Sequence, residues 1–90
     1  MLPKRNPHAC SREHELLGDA VRDRRHRLEL SQEALGFLAG LHRNYIGAIE
    51  RGEINATFRT LLRLCTGLEM SIAQLMIDYE EHLRRSGESG

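Results

Sequence analysis

The chain has 90 residues, 40% of them hydrophobic, with two Tyr, two Phe and no Trp. That is enough for one domain, and a domain of this size buries roughly 60–65% of the surface its unfolded chain exposes, so a partner chain is a natural expectation. Thirteen basic residues cancel 13 acidic ones, which excludes strong nonspecific attraction to polyanions; any nucleic-acid role has to rest on where the charges sit.

Residues 1–10 hold both prolines and have no apolar periodicity, so they read as a mobile arm. "HACSREH" brings His8, Cys10 and His14 close in sequence. A metal there lacks a fourth ligand, so neither a metal nor another cofactor is expected. Ser11 is a candidate N-cap, and Glu13 and Glu15 follow in the first turn, where the helix dipole favours acids. Leu17, Val21 and Leu28 recur at helical spacing and predict a first helix over 12–28. Within it "RDRRHR" places four arginines in six residues.

Ser31 caps a second helix predicted over 32–39, which Gly40 ends by taking the left-handed conformation of a sharp exit. A third follows over 43–51 and stops at Gly52. After the loop "RGEINAT", Thr57 caps a fourth helix through Thr66, with Gly67 as its stop. Cys65 lies on the apolar face as a small core residue. "SIAQ" reads as a capping box, Ser71 with Gln74, opening a fifth helix over 72–84. Residues 85–90 are a polar tail. No strand pattern, repeat, signal-peptide pattern or membrane-length apolar run competes, so a cytoplasmic location is the expectation. The fold class is all-α: a compact five-helix domain over 11–84.

The stretch from Ser31 to Glu53, "SQEALGFLAGLHRNYIGAIERGE", carries the functional signal. Counted from Gln32, positions 4, 8, 10, 15 and 18 are Leu35, Ala39, Leu41, Ile46 and Ile49, all apolar. Positions 5 and 9 are Gly36 and Gly40. Two helices crossing steeply after a short turn bring position 5 against the second helix, where only a small residue fits, and position 9 must reverse the chain. This is the spacing of a helix-turn-helix, formed here by helices 2 and 3, whose second helix enters a DNA major groove. An ordinary αα-hairpin has no need of both small residues.

The chain from Leu17 to Leu75 resembles the XRE/Cro family of lambda-repressor-like domains, through "LSQEAL", "AGLHRNYIGAIERGE" and "NATFRTLLRL". The resemblance implies sequence-specific binding to double-stranded DNA. His42, Arg43 and Asn44 open the recognition helix, with Gly47 and Ala48 one turn later on the same face. Arg43 can donate two hydrogen bonds to guanine, Asn44 can pair with adenine, and Ala48 can touch a thymine methyl. Gly47 lets the backbone come close.

Gln32 starts helix 2, where free N–H groups favour phosphate. The resemblance gives it a phosphate contact and a bracing role toward Arg43. Tyr45 reaches a phosphate or packs on helix 4. Asn55 and Thr57 resemble a second phosphate clamp, although Ala56 stands where the family often has proline. The resemblance further implies an ion pair between Arg25 and Glu50, which orients helix 3. Arg22, Arg24, His26 and Arg27 then form a solvated face.

Ile72, Leu75, Met76, Tyr79 and Leu83 follow helical spacing. Ile72 and Leu75 complete a monomer core, while Met76, Tyr79 and Leu83 extend the stripe into a homodimer seam. A two-fold dimer reads two half-sites about 34 Å apart. The reading is a homodimeric transcription regulator on a palindromic operator, most similar in wording to restriction–modification controllers. RNA polymerase is a candidate further partner through acidic residues such as Glu33 or Glu53. The competing reading is an antitoxin-type autoregulator or protein-binding module that masks a partner. No nucleophile–base pair, Gly-rich loop or carboxylate cluster appears, so no enzyme is expected.

Overall fold

The computed structural model describes residues 6–87. Five helices run in order: α1 (Arg12–Arg27), α2 (Gln32–Ala39), α3 (Arg43–Glu50), α4 (Phe58–Gly67) and α5 (Ile72–Arg85). No strand occurs among the described residues, and no single helix there is long and apolar enough to cross a membrane. α1 packs against α3 and α5, and α2 packs against α3 and α4. The all-α five-helix expectation holds, with helix ends within one residue of those read from the sequence.

Local chemistry sets the helix starts. Ser11, Ser31, Thr57 and Ser71 are extended residues. Each side-chain oxygen accepts from the backbone N–H three residues on, at 3.1, 2.9, 3.1 and 3.0 Å. Each thereby satisfies one donor that a helix leaves unpaired at its start. The Ser71 half of the expected box is present, while the Gln74 Nε2 donates forward to Asp78 Oδ1 at 2.9 Å.

The helix ends divide. Gly40 takes the left-handed conformation as expected, with φ 70. Gly67 does not end α4 by that route. It stays helical, and Glu69 (φ 53) takes the left-handed position, as Glu29 (φ 57) does after α1. Gly67 serves the contact with α2 instead. A Cβ added there would lie 2.8 Å from Leu35 Cδ1 and 3.3 Å from Ala39 N. Gly18 does the same for α1 against α3, since a Cβ would collide with the Glu50 carbonyl.

Val21, Leu35, Ile46, Leu64, Leu68 and Leu75 are fully enclosed, joined by Ala20, Ile49 and Cys65. Burial raises the Cys65 thiol pKa. The buried stripe of α1 is Leu16, Ala20 and Val21, while Leu17 packs half-buried beside it. Arg24 is not on a solvated face. Its Nε donates to the Leu68 carbonyl at 2.9 Å and its Nη2 to the Glu69 carbonyl at 3.0 Å. It therefore satisfies carbonyls at the exit of α4, which the helix itself cannot. The end of α5 is fastened to α1 by His82 Nε2 and Asp23 Oδ2 at 2.9 Å.

Residues 1–5 of the expected arm lie outside the described residues. The remainder is fastened to the body. The Asn6 N–H donates to Glu15 Oε2 at 2.9 Å, and the Cys10 N–H donates to the Gly52 carbonyl at 2.8 Å.

Leu64→Ala should lower the unfolding free energy by about 2–5 kcal/mol. Phe37→Ala, at a side chain 87% exposed, should change it by under about 0.5 kcal/mol. Urea denaturation followed by circular dichroism at one fixed protein concentration checks both.

Candidate nucleic-acid interface

The turn between α2 and α3 is built as the spacing required. The Leu41 N–H donates to the Gly36 carbonyl at 2.8 Å, closing the exit that Gly40 begins. A Cβ on Gly36 would collide with the Leu41 carbonyl and lie 3.3 Å from Arg43 N. Gly36 thus allows α3 to start directly beside α2. Leu35, Ala39, Ile46 and Ile49 are buried, and Leu41 packs half-buried against the same core. All seven positions do what their residue types suggested.

What orients α3 is polar. Arg25 Nε donates to Glu50 Oε2 at 2.6 Å, and Arg25 Nη2 donates to Glu50 Oε1 at 3.0 Å. Arg25 is 8% and Glu50 3% exposed, so this is a buried, two-point charge pair. Arg25 Nη1 also donates to the Leu30 carbonyl at 2.9 Å, which ties in the loop before α2. The expected pairing of α1 with the end of α3 is therefore present. Gln32 differs from expectation. Its amide Nε2 donates to Glu50 Oε1 at 3.0 Å, so it braces the end of α3 rather than Arg43. Arg43 instead meets Glu33 Oε2 at 3.1 Å, with both side chains largely exposed.

The start of α3 places the other candidates. His42 is the N-cap of α3: its Nδ1 accepts the Asn44 N–H at 3.0 Å. That bond holds the ring to the backbone and leaves Nε2 as its outer nitrogen. Arg43 and Asn44 are exposed, and Ala48 is half-buried. Gly47 is covered, contrary to its reading as an open approach for bases. A Cβ there would lie 3.0 Å from Arg51 Nη1 and 3.4 and 3.5 Å from the Gln32 amide atoms. Two neighbouring side chains fill the space that the glycine leaves.

Arg51 is the residue the sequence reading missed. It follows Arg43 by eight positions, so helical geometry puts it on the face of Arg43, Asn44, Gly47 and Ala48. Extending that face by one more turn would have found it. Its Nε pairs with Glu53 Oε1 at 3.2 Å. Asn6 Nδ2 donates to Glu53 Oε2 at 2.7 Å and to the Arg51 carbonyl at 3.1 Å. The Asn6 hydrogen bond holds the Glu53 carboxyl below its ordinary pKa; desolvation opposes it, and the hydrogen bond and charge of Arg51, with the charge of His8, add to the lowering.

The loop before α4 carries Asn55 and Thr57. Asn55 is exposed, and its Oδ1 lies 3.1 Å from His14 Nε2 on α1. Thr57 is engaged in its own cap, and its hydroxyl also donates to Thr60 Oγ1 at 3.1 Å. Tyr45 packs half-buried against the core, so its ring serves α3 packing first. On α5, Met76 and Tyr79 line a cleft of 160 Å³ with Glu13, His14 and Leu17, and Leu83 is half-buried. Part of the expected seam is therefore covered by α1 of the same chain. The large apolar side chains that stay exposed on α4 and α5 are Phe58, Leu62 and Ile77.

A family profile for a helix-turn-helix domain matches residues 16–75. The chain belongs to this helix-turn-helix family, of the XRE/Cro-like kind. It is 45% identical over 62 residues to the control protein C.SmaI of Serratia marcescens, covering 69% of this chain and 74% of that protein. It is similar to the crystal structure of the restriction–modification controller protein C.AhdI from Aeromonas hydrophila, with a TM-score of 0.71 and 37% identity, covering 72% of this chain and 98% of that one. The controller protein C.Esp1396I matches with a TM-score of 0.78 and 25% identity, covering 83% of this chain and 97% of that one. Likeness to the controllers supports DNA-binding transcriptional regulation as the function of this helix-turn-helix chain.

Removing one partner of a buried pair leaves an uncompensated charge, so Glu50→Ala should cost about 3–5 kcal/mol of stability. Gln32→Ala, which leaves the Arg25–Glu50 pair intact, should cost about 0.5–1.5 kcal/mol. Thermal and urea unfolding of the two variants side by side checks the order.

Proposed function

We propose that this protein is a homodimeric transcription regulator of the restriction–modification controller type, binding a palindromic operator in double-stranded DNA. The observation that carries this is the orientation of α3. The Arg25–Glu50–Gln32 network fixes its far end inside the protein, and Arg43 and Asn44 are left exposed at its near end. In this reading Arg43 and Asn44 read base edges, with His42 Nε2 and the Ala48 methyl beside them. Gly47 serves by making room for Arg51, and Arg51 and Gln32 meet backbone phosphate. Asn55, assisted by the first turn of α4 after Thr57, meets a second phosphate, and Tyr45 sets the pitch of α3. Arg43 leaves Glu33 when it turns to a base. That frees an exposed acidic side chain on α2, the surface by which such a regulator would engage RNA polymerase.

The dimer forms along α5. Met76, Tyr79 and Leu83 give their remaining exposed surface, and Ile77 on α5 with Phe58 and Leu62 on α4 supply exposed apolar contacts. A neutral chain gains little from nonspecific attraction, so simultaneous use of two half-sites is the route to useful affinity.

Selection of random-sequence duplexes by the purified protein at near-physiological salt should enrich an inverted repeat with half-sites about 34 Å apart. No enrichment from a folded protein would reject operator binding and turn attention to a masked protein partner. On the selected operator, Arg43→Ala should lose about 1–3 kcal/mol and relax preference at one base pair. Arg51→Gln should weaken all sequences alike and reduce the salt slope by about 1. A loss of base preference with Arg51→Gln would reassign it as a reader. Ile77→Asp should convert the dimer to monomer in sedimentation velocity, and an unchanged sedimentation coefficient would remove Ile77 from the seam.

A further inference from the structure

His14 has no part in the core or in the recognition helix, yet it makes three polar contacts. Its backbone N–H donates to Ser11 Oγ at 3.1 Å, which is the cap of α1. Its ring Nδ1 lies 2.6 Å from the same Ser11 Oγ. Its ring Nε2 lies 3.1 Å from Asn55 Oδ1, across 41 residues of sequence. Together these contacts link the start of α1 to the loop that follows α3.

The proton arrangement follows from the donors and acceptors. Asn55 Oδ1 can only accept, so Nε2 must carry the hydrogen that joins them. In the neutral ring Nδ1 is then an acceptor. Ser11 Oγ already accepts the His14 backbone N–H, and its own hydrogen remains to be donated to Nδ1. The alternative tautomer, with the hydrogen on Nδ1, would bring two acceptors together at Nε2 and Oδ1. It would therefore require the Asn55 amide to be reversed.

The consequence lies at Asn55. With Oδ1 turned inward to His14, the Nδ2 group and its two N–H donors face away from α1. Asn55 is exposed and stands three residues before α4, whose first-turn N–H groups carry positive potential. An outward NH2 suits an anionic oxygen, whereas an outward carbonyl repels one. We propose that Ser11 and His14 form a relay that orients the Asn55 carboxamide, presenting its N–H donors to a backbone phosphate of bound DNA. His14 is a positioning residue acting through Asn55. The inference rests on the DNA-binding reading above and adds two α1 residues to the interface.

The test uses the full chain and its selected operator. First, nitrogen-15 correlation spectra of the free protein, at a pH where the ring is neutral, should give His14 as the Nε2–H tautomer. The Nδ1–H tautomer would overturn the relay without reference to DNA. Second, His14→Leu should weaken binding about three- to tenfold at every sequence, the scale of one hydrogen bond. His14→Gln places an amide donor near the Nε2 position and should recover most of that loss. In an Asn55→Ala background, His14→Leu should cause no further loss.

A full additional loss in that background, or no recovery with glutamine, would reduce His14 to a structural tie. So would unchanged affinity of His14→Leu where Asn55→Ala binds weakly. Circular dichroism on each variant separates these outcomes from misfolding, since a folded His14→Leu is required for any of them. Failure of the wild-type chain to bind duplex DNA would remove the DNA reading itself. Each of the other adverse results would leave that reading standing and discard the relay alone.

Discussion

The buried pair between Arg25 and Glu50 is the constraint on which the interface depends. An eight-residue helix such as α3 has little intrinsic stability, and its apolar side chains Ile46 and Ile49 fix which face is buried. They do not fix how far the helix rotates or tilts. A two-point guanidinium–carboxylate contact does, because it is planar and directional. Its net contribution to stability is small, since desolvation offsets most of the attraction. Its contribution to geometry is large, and the Gln32 amide extends it to α2. Both halves of the helix-turn-helix are therefore referred to one carboxylate.

A second set of polar ties surrounds that centre. Asn6 bonds Glu53 and the Arg51 carbonyl, and Glu53 holds the Arg51 guanidinium. Gly47 has no side chain, so Arg51 can lie back along α3 beside Gln32. Arg24 closes the exit of α4. The arginine run on α1 therefore divides by helical position. Arg25 is internal and Arg24 spans to α4, while the exposed His26 and Arg27 lie at the helix end. In a chain with no net charge, such placement decides where positive potential is available to a ligand.

Much of this was legible beforehand. Ser11, Ser31, Thr57 and Ser71 announced helix starts because their hydroxyls are suited to unpaired N–H groups. Leu35, Gly36, Ala39, Gly40, Leu41, Ile46 and Ile49 announced the turn because size and polarity at each position are dictated locally. Gly67 ends α4 as its type suggests, but its packing role against α2 is not legible, since a glycine for close packing and a glycine for left-handed backbone look alike in one dimension. His42 as a cap was invisible, because a histidine rarely has that task. For Gln32 the family resemblance points to Arg43, whereas its partner is the Glu50 carboxylate at the far end of α3.

The sequence by itself determined the helix count, the helix starts and the helix-turn-helix, because caps, periodicity and small-residue positions act within a few residues of one another. It also determined which face of α3 carries Arg43 and Asn44, since helical geometry fixes that from position alone. Only the tertiary structure decided how Gln32, Arg51, His14 and Asn55 are held. It likewise decided that Met76 and Tyr79 are partly covered by α1. Those outcomes depend on contacts between residues far apart in the chain. A hydrogen bond across 41 residues leaves no local pattern, because the packing of α1 against α3 first has to bring the two groups within reach.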